Sequence, residues 1–127
     1  MKKSDIIHEF DPIIYPIKLW VSIANDTDYI KSKFLYYPQR KELNFDRHIE
    51  FDASVDTVMN KETNMIGFLV CFNNFKVCTN GVIAHEATHV SDRVWNHIGE
   101  RKKAKEANAY LVEWIFNCIE KVKLNKL

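Results

Sequence analysis

His85 and His89 stand four residues apart with Glu86 directly after the first, and this triplet has the residue types and spacing best suited to chemistry in the chain. On a helix, side chains at i and i+4 share a face, so both imidazoles can reach one tetrahedral zinc ion at about 2.0–2.1 Å. Glu86 lies beside that face, where its carboxylate can hold and deprotonate a zinc-bound water. Three protein ligands plus a water, with a glutamate kept back as base, make an open catalytic site and not a closed structural one. The expected chemistry is hydrolysis, with Glu86 taking a proton from the water and returning it to a leaving amine.

The pattern arises by chance in roughly one sequence in a hundred of this composition, so its context has to add weight. Thr79 or Asn80 can cap a helix spanning about 81–97, and Gly99 is a natural C-terminal stop. On that helix Ile83, Ala87, Val90 and Val94 form an apolar stripe, and the two histidines project to nearly the opposite side, with Asp92 close to them. Two histidines on such a face are ordinarily just solvated; the glutamate between them turns the balance toward a metal site.

A third ligand is required. One class of zinc hydrolases places glycine and then histidine three and six residues beyond the motif, but Asp92 and Trp95 occupy those positions. In gluzincins a glutamate from the following helix completes the site. A second helix is expected over about 102–122, because Ala107, Leu111, Trp114, Ile115, Cys118 and Val122 recur at three- and four-residue spacing. It offers Glu106 first and, two turns later, Glu113. Tyr110, one turn after Glu106, can donate to an oxyanion or position Glu106, or can pack at the edge of the apolar stripe. Asp92 can accept an imidazole N–H, or can sit solvated or salt-bridged on its helix.

The elements that must position these residues precede them. Residues 17–23 alternate with apolar side chains on odd positions and read as a half-buried strand. After the turn residues 25–28, residues 29–37 are expected as a short helix that Pro38 ends, and 39–50 as a charged loop. Alternation through Ile49, Phe51, Ala53 and Val55, turn residues at 60–64 and the apolar run 65–72 suggest two antiparallel strands. The run 65–72 is either buried core or an edge on which an extended peptide can pair. Residues 75–78 are a short strand or connector. The fold class expected is α+β: a small antiparallel or mixed sheet over 13–77, then the histidine helix packed on it, then a glutamate-bearing helix closing the site.

The 127 residues, 46% of them hydrophobic, suffice for one domain spanning 1–127 with one packed core. A formal charge of +1 excludes a global field that would favour nucleic acid or an anionic membrane. The cluster Arg101, Lys102, Lys103 and Lys105 is flanked by Glu100 and Glu106 and reads as a solvated helix turn. The first residues lack the apolar stretch of a secretory signal and no run reaches membrane-spanning length, so a soluble intracellular protein is expected. Cys71, Cys78 and Cys118 are odd in number and form no CxxC pair, which argues for buried, inert thiols over disulfides or a cysteine-based zinc site.

The segments Ala84-His85-Glu86-Ala87-Thr88-His89-Val90 and Lys105-Glu106-Ala107-Asn108-Ala109-Tyr110-Leu111-Val112-Glu113-Trp114 together resemble small zincin-like metallopeptidases encoded by bacteriophages and prophages. More distantly, Glu106-Ala107-Asn108 is similar to the segment supplying the third zinc ligand in the ImmA/IrrE family of gluzincin proteases. The resemblance covers about the C-terminal third of the chain. It implies a minimal zincin-like metallopeptidase core in which His85, His89 and Glu106 bind Zn2+ and Glu86 is the general base. It further implies a protein or peptide substrate and the cytoplasm of a bacterial host, while the balanced charge and the lack of a membrane-spanning run lead to the expectation of no nucleic-acid or membrane partner. The chain departs from many ImmA-like proteins in lacking their helix-turn-helix partner domain. The competing expectation is an accessory or binding protein on the same scaffold, with a structural or vestigial metal site and no proteolysis.

Overall fold

A computed structural model describes residues 5–12, 16–45, 52–99 and 105–126. Five strands, β1 (Ile7–Phe10), β2 (Lys18–Ile23), β3 (Phe34–Tyr36), β4 (Ala53–Asn60) and β5 (Ile66–Phe72), form one sheet in the order β1-β2-β5-β4-β3. β2 and β5 are parallel, and every other neighbouring pair is antiparallel. Among the described residues three α-helices accompany the sheet: α1 (Thr27–Lys33), α2 (Asn80–Ile98) and α3 (Lys105–Leu124). The protein is therefore α+β with a mixed sheet. No described helix is long and apolar enough to cross a membrane.

Alternation in β2 and β5 sorts the core into two layers. Leu19, Val21 and Ile23 of β2, Phe68, Val70 and Phe72 of β5, and Val55 of β4 face Ile83, Ala87, Val90 and Val94 of α2 and Ile115, Cys118, Ile119 and Val122 of α3. On the opposite face Trp20, Leu69, Cys71 and Val58 pack with Ile30 of α1, Phe34 and Leu43. Trp20 also donates from Nε1 to Glu9 Oε1 at 2.9 Å, which ties edge strand β1 to β2.

The β4–β5 hairpin turns where the sequence places turn chemistry. Asn60 Oδ1 accepts from the backbone N–H groups of Glu62 and Thr63, at 2.8 and 3.1 Å, and Asn64 adopts a positive φ of 60°. Gly67 is required for close approach: a Cβ there would collide with the backbone carbonyl of Lys18 and lie 2.6 Å from Trp20 Cζ3.

The structure corrects several expectations about the elements. The expected helix over 29–37 is α1 followed directly by strand: Phe34 has extended backbone, pairs with Asn60, and packs its ring 4.9 Å from Trp20. Cross-strand pairing and burial of Phe34 outweigh helical continuation there. β1 was not foreseen, and of the two alternatives for residues 75–78, strand or connector, the connector holds, as a single 3-10 turn over 75–77. β5 lies between β2 and β4, so both its edges are paired and it cannot accept an extended peptide. Ile49, Phe51, residues 13–15 and the basic cluster 101–103 lie outside the described residues.

Cys71, Cys78 and Cys118 are free and buried. Burial pushes the thiol of Cys78 up to about 11 and that of Cys118 to about 12, and raises that of Cys71 still further. A thiol raised by folding contributes stability that is intact below its ordinary value and is lost as pH climbs through the folded value. Alkylation at pH 8 should accordingly label no cysteine in the native protein and all three in denaturant, with mass spectrometry as the readout. Gly67→Ala should cost about 1–3 kcal/mol through overpacking, seen as a lowered thermal midpoint with the fold retained.

Candidate functional site

α2 begins where Thr79 Oγ1 accepts from Val82 N at 3.3 Å and ends at Gly99, whose left-handed conformation (φ 73°) caps it. Between these caps the apolar stripe Ile83, Ala87, Val90 and Val94 is buried, while His85 and His89 are exposed on the other side. This is the rotation the helical spacing predicts. Glu86 precedes Ala87 in the stripe and is drawn inward with it, to 6% exposure.

The two imidazoles converge. Their Nε2 atoms lie 3.0 Å apart, with ring planes at 81°. Two neutral imidazoles in this arrangement share one N–H···N hydrogen bond, and the tautomers decide which one donates. A tetrahedral ion with Zn–N bonds of 2.0–2.1 Å separates two ligand nitrogens by roughly 3.3–3.4 Å. The pair therefore needs to open by only a few tenths of an ångström to chelate zinc, and the donor set fits the ion.

Burial raises the carboxyl of Glu86 above its ordinary value, and the facing His85 and His89 act in the opposite direction. Desolvation is the larger effect. A carboxylate held in this way binds a proton more readily than a solvated one, as a general base that must also act as an acid requires.

The other expected residues are placed as follows. Glu106 is exposed in the first turn of α3. Among the described residues, no three His, Cys, Asp or Glu side chains gather closely enough to hold a metal ion, so Glu106 is not brought onto the histidine pair as a third ligand. Tyr110 is 66% exposed, which sets aside its packing at the edge of the core. Asp92 is half-buried on α2, and Glu113 is exposed on α3.

One connection was missed by sequence reasoning. Asn108 Oδ1 accepts from Ser91 Oγ at 2.5 Å and from Trp95 Nε1 at 2.9 Å, joining the start of α3 to α2. Ser91 is fully buried and Trp95 nearly so, so Asn108 satisfies two donors withdrawn from water. The available signal was an asparagine, a poor helix former, in a helix opposite a serine on an inward-facing position.

Comparison with protein-family models, with curated proteins and with solved structures found no match to this chain.

Asn108→Ala leaves the buried Ser91 hydroxyl and the Trp95 indole N–H without their acceptor, which should cost about 1–3 kcal/mol. Denaturant unfolding of the variant should show a lower midpoint with an unchanged slope, whereas Asn117→Ala, at an exposed position further along α3, should be near neutral.

Proposed function

We infer that the protein is a zinc-dependent peptide hydrolase of the gluzincin type, built on a minimal zincin-like core. The observation that carries this reading is the 3.0 Å convergence of His85 and His89 Nε2 beside a desolvated Glu86. His85 and His89 would hold the ion through Nε2, and Glu106 is the candidate for the third protein ligand. When bound, zinc supplies Lewis-acid polarisation of the scissile carbonyl and lowers the pKa of the attacking water. Glu86 takes the proton of that water on its carboxylate and returns it to the departing amine. The apolar stripe under Ala87 and Val90 keeps the inner side of the site dry, which strengthens the interaction of Glu86 with charge on the histidine side. Asn108 fixes the turn of α3 that carries Glu106. Tyr110, exposed one turn further along α3, can donate its hydroxyl to a developing oxyanion, and the half-buried Asp92 can orient a histidine. The substrate on this reading is a protein or peptide, and the resemblance to phage- and prophage-encoded proteins implies the cytoplasm of a bacterial host.

The exposed position of Glu106 favours a second reading, an accessory or binding protein on the same scaffold with a vestigial metal site and no proteolysis. Elemental analysis of the gently purified chain together with cleavage of a degenerate peptide pool separates the two. On the hydrolase reading the chain carries one zinc, and Glu86→Gln retains it while cleavage falls about 10²–10⁴-fold. Glu106→Ala then weakens zinc binding at least tenfold. Cleavage unchanged in Glu86→Gln would overturn the assignment of the base, and zinc unchanged in Glu106→Ala that of the third ligand. Stoichiometric zinc with no cleavage of the pool would favour the accessory reading.

A further inference from the structure

The histidine side of α2 continues beyond the motif. Arg93 and His97 follow His89 at the same four-residue spacing, each step turning about 40° around the helix, so Arg93 adjoins the histidine side and His97, about 120° from His85, has come round toward the sheet. The far half of this row is located by contacts. Arg93 Nη1 lies 3.5 Å from Thr57 Oγ1 of β4, and the His97 ring meets Tyr37 and Phe68 edge-on, at 6.5 and 6.1 Å between centroids. The far end of this row, from Arg93 on, thus reaches the sheet where the chain leaves β3, while His85 and His89 face outward.

An open cleft of about 440 Å³ lies there, lined by Tyr36, Tyr37, Gln39, Asp56, Thr57 and Arg93 among others. Asp56 and Thr57 point to opposite faces of β4, so the buried Asp56 belongs to the side away from α2. On the α2 side the charged group is Arg93. It is exposed and makes no ion pair among the described residues, and the long contact to Thr57 uses one of its five N–H donors. A planar guanidinium at the wall of a polar cleft is suited to gripping a carboxylate bidentately.

Distance selects which carboxylate. Four residues of helix advance about 6 Å, so Arg93 stands about 6 Å beyond His89 and about 12 Å beyond His85 along the axis. An extended peptide advances about 3.3 Å per residue. We propose that Arg93 and its cleft form a subsite for an acidic side chain, Glu or Asp, two or three residues from the bond cleaved at His85, Glu86 and His89. The proposal rests on the reading of that triplet as the reacting centre.

The test uses the zinc-loaded 127-residue chain and decapeptides in which a single Glu is moved along the peptide, each compared with its Gln counterpart. Glu two or three residues from the cleaved bond should raise kcat/KM roughly ten- to hundredfold over Gln, as a charge-assisted pair does, and the ratio should shrink in high salt. Arg93→Gln should bring the ratio to about one and Arg93→Lys should keep part of it. A ratio unchanged in Arg93→Gln, or no Glu preference in the native chain, would overturn the subsite. If no decapeptide is cleaved, the hydrolase reading fails and the subsite is judged by fluorescence anisotropy of the same labelled peptides. Tighter binding of the Glu peptide that is lost in Arg93→Gln sustains it, and equal binding of Glu and Gln peptides overturns it.

Discussion

The roll angle of α2 governs the arrangement of His85, Glu86 and His89, on which the candidate site is built. Ile83, Ala87, Val90 and Val94 are buried against the sheet, and each of the larger side chains contributes about 1.5–3 kcal/mol when removed from water. Rotating the helix to bury the histidines would expose that stripe, a loss no hydrogen bond between two imidazoles repays. With the stripe fixed, a step of 100° per residue determines the rest: His85 and His89 face outward, and Glu86 is carried to the boundary between the dry and wet sides. The raised carboxyl of Glu86 thus follows from the packing of its neighbour Ala87.

The sheet supplies the surface on which that stripe rests, and its topology decides what lies beside the histidine side. β2 and β5 are central and nearly continuously apolar because helices α2 and α3 cover one face and α1 with Phe34 and Leu43 cover the other. Gly67 lets these two strands run parallel with the Trp20 ring against the backbone of β5. β4, next outward, is the strand that α2 meets through Arg93 and Thr57. The ground beside Arg93 is therefore the β4 side of the sheet, while the His97 ring reaches Phe68 of β5.

How much of this was legible in the sequence depends on whether a residue's state is local. The helix around His85 was readable because its caps, Thr79 and Gly99, and its stripe are all within twenty residues of one another. β2, β4 and β5 were readable as runs with alternation or continuous apolarity bounded by turn residues. β1 and β3, four and three residues long, were not, because such short segments are strands only by virtue of the partners they pair with. The convergence of the two histidines was legible from their four-residue spacing. The relation of Glu106 to them was not, since it depends on how two helices dock, and residue spacing within α3 carries no information about that.

Docking of α3 on α2 joins an apolar contact to a polar one, and the two have different consequences. Ile115, Cys118, Ile119 and Val122 place the far half of α3 against the sheet through burial, which tolerates small shifts. Near its start α3 depends on Asn108, whose single oxygen receives both the Ser91 hydroxyl and the Trp95 indole N–H. Two donors converging on one acceptor leave little freedom in rotation or register, because a shift that lengthens either bond strands a buried polar group. Ser91 lies two residues beyond His89, and Asn108 two beyond Glu106. The geometry between the histidine pair and the first turn of α3 is therefore set through a hydrogen-bonded joint only two residues from each, while the sheet holds the far half of α3 directly.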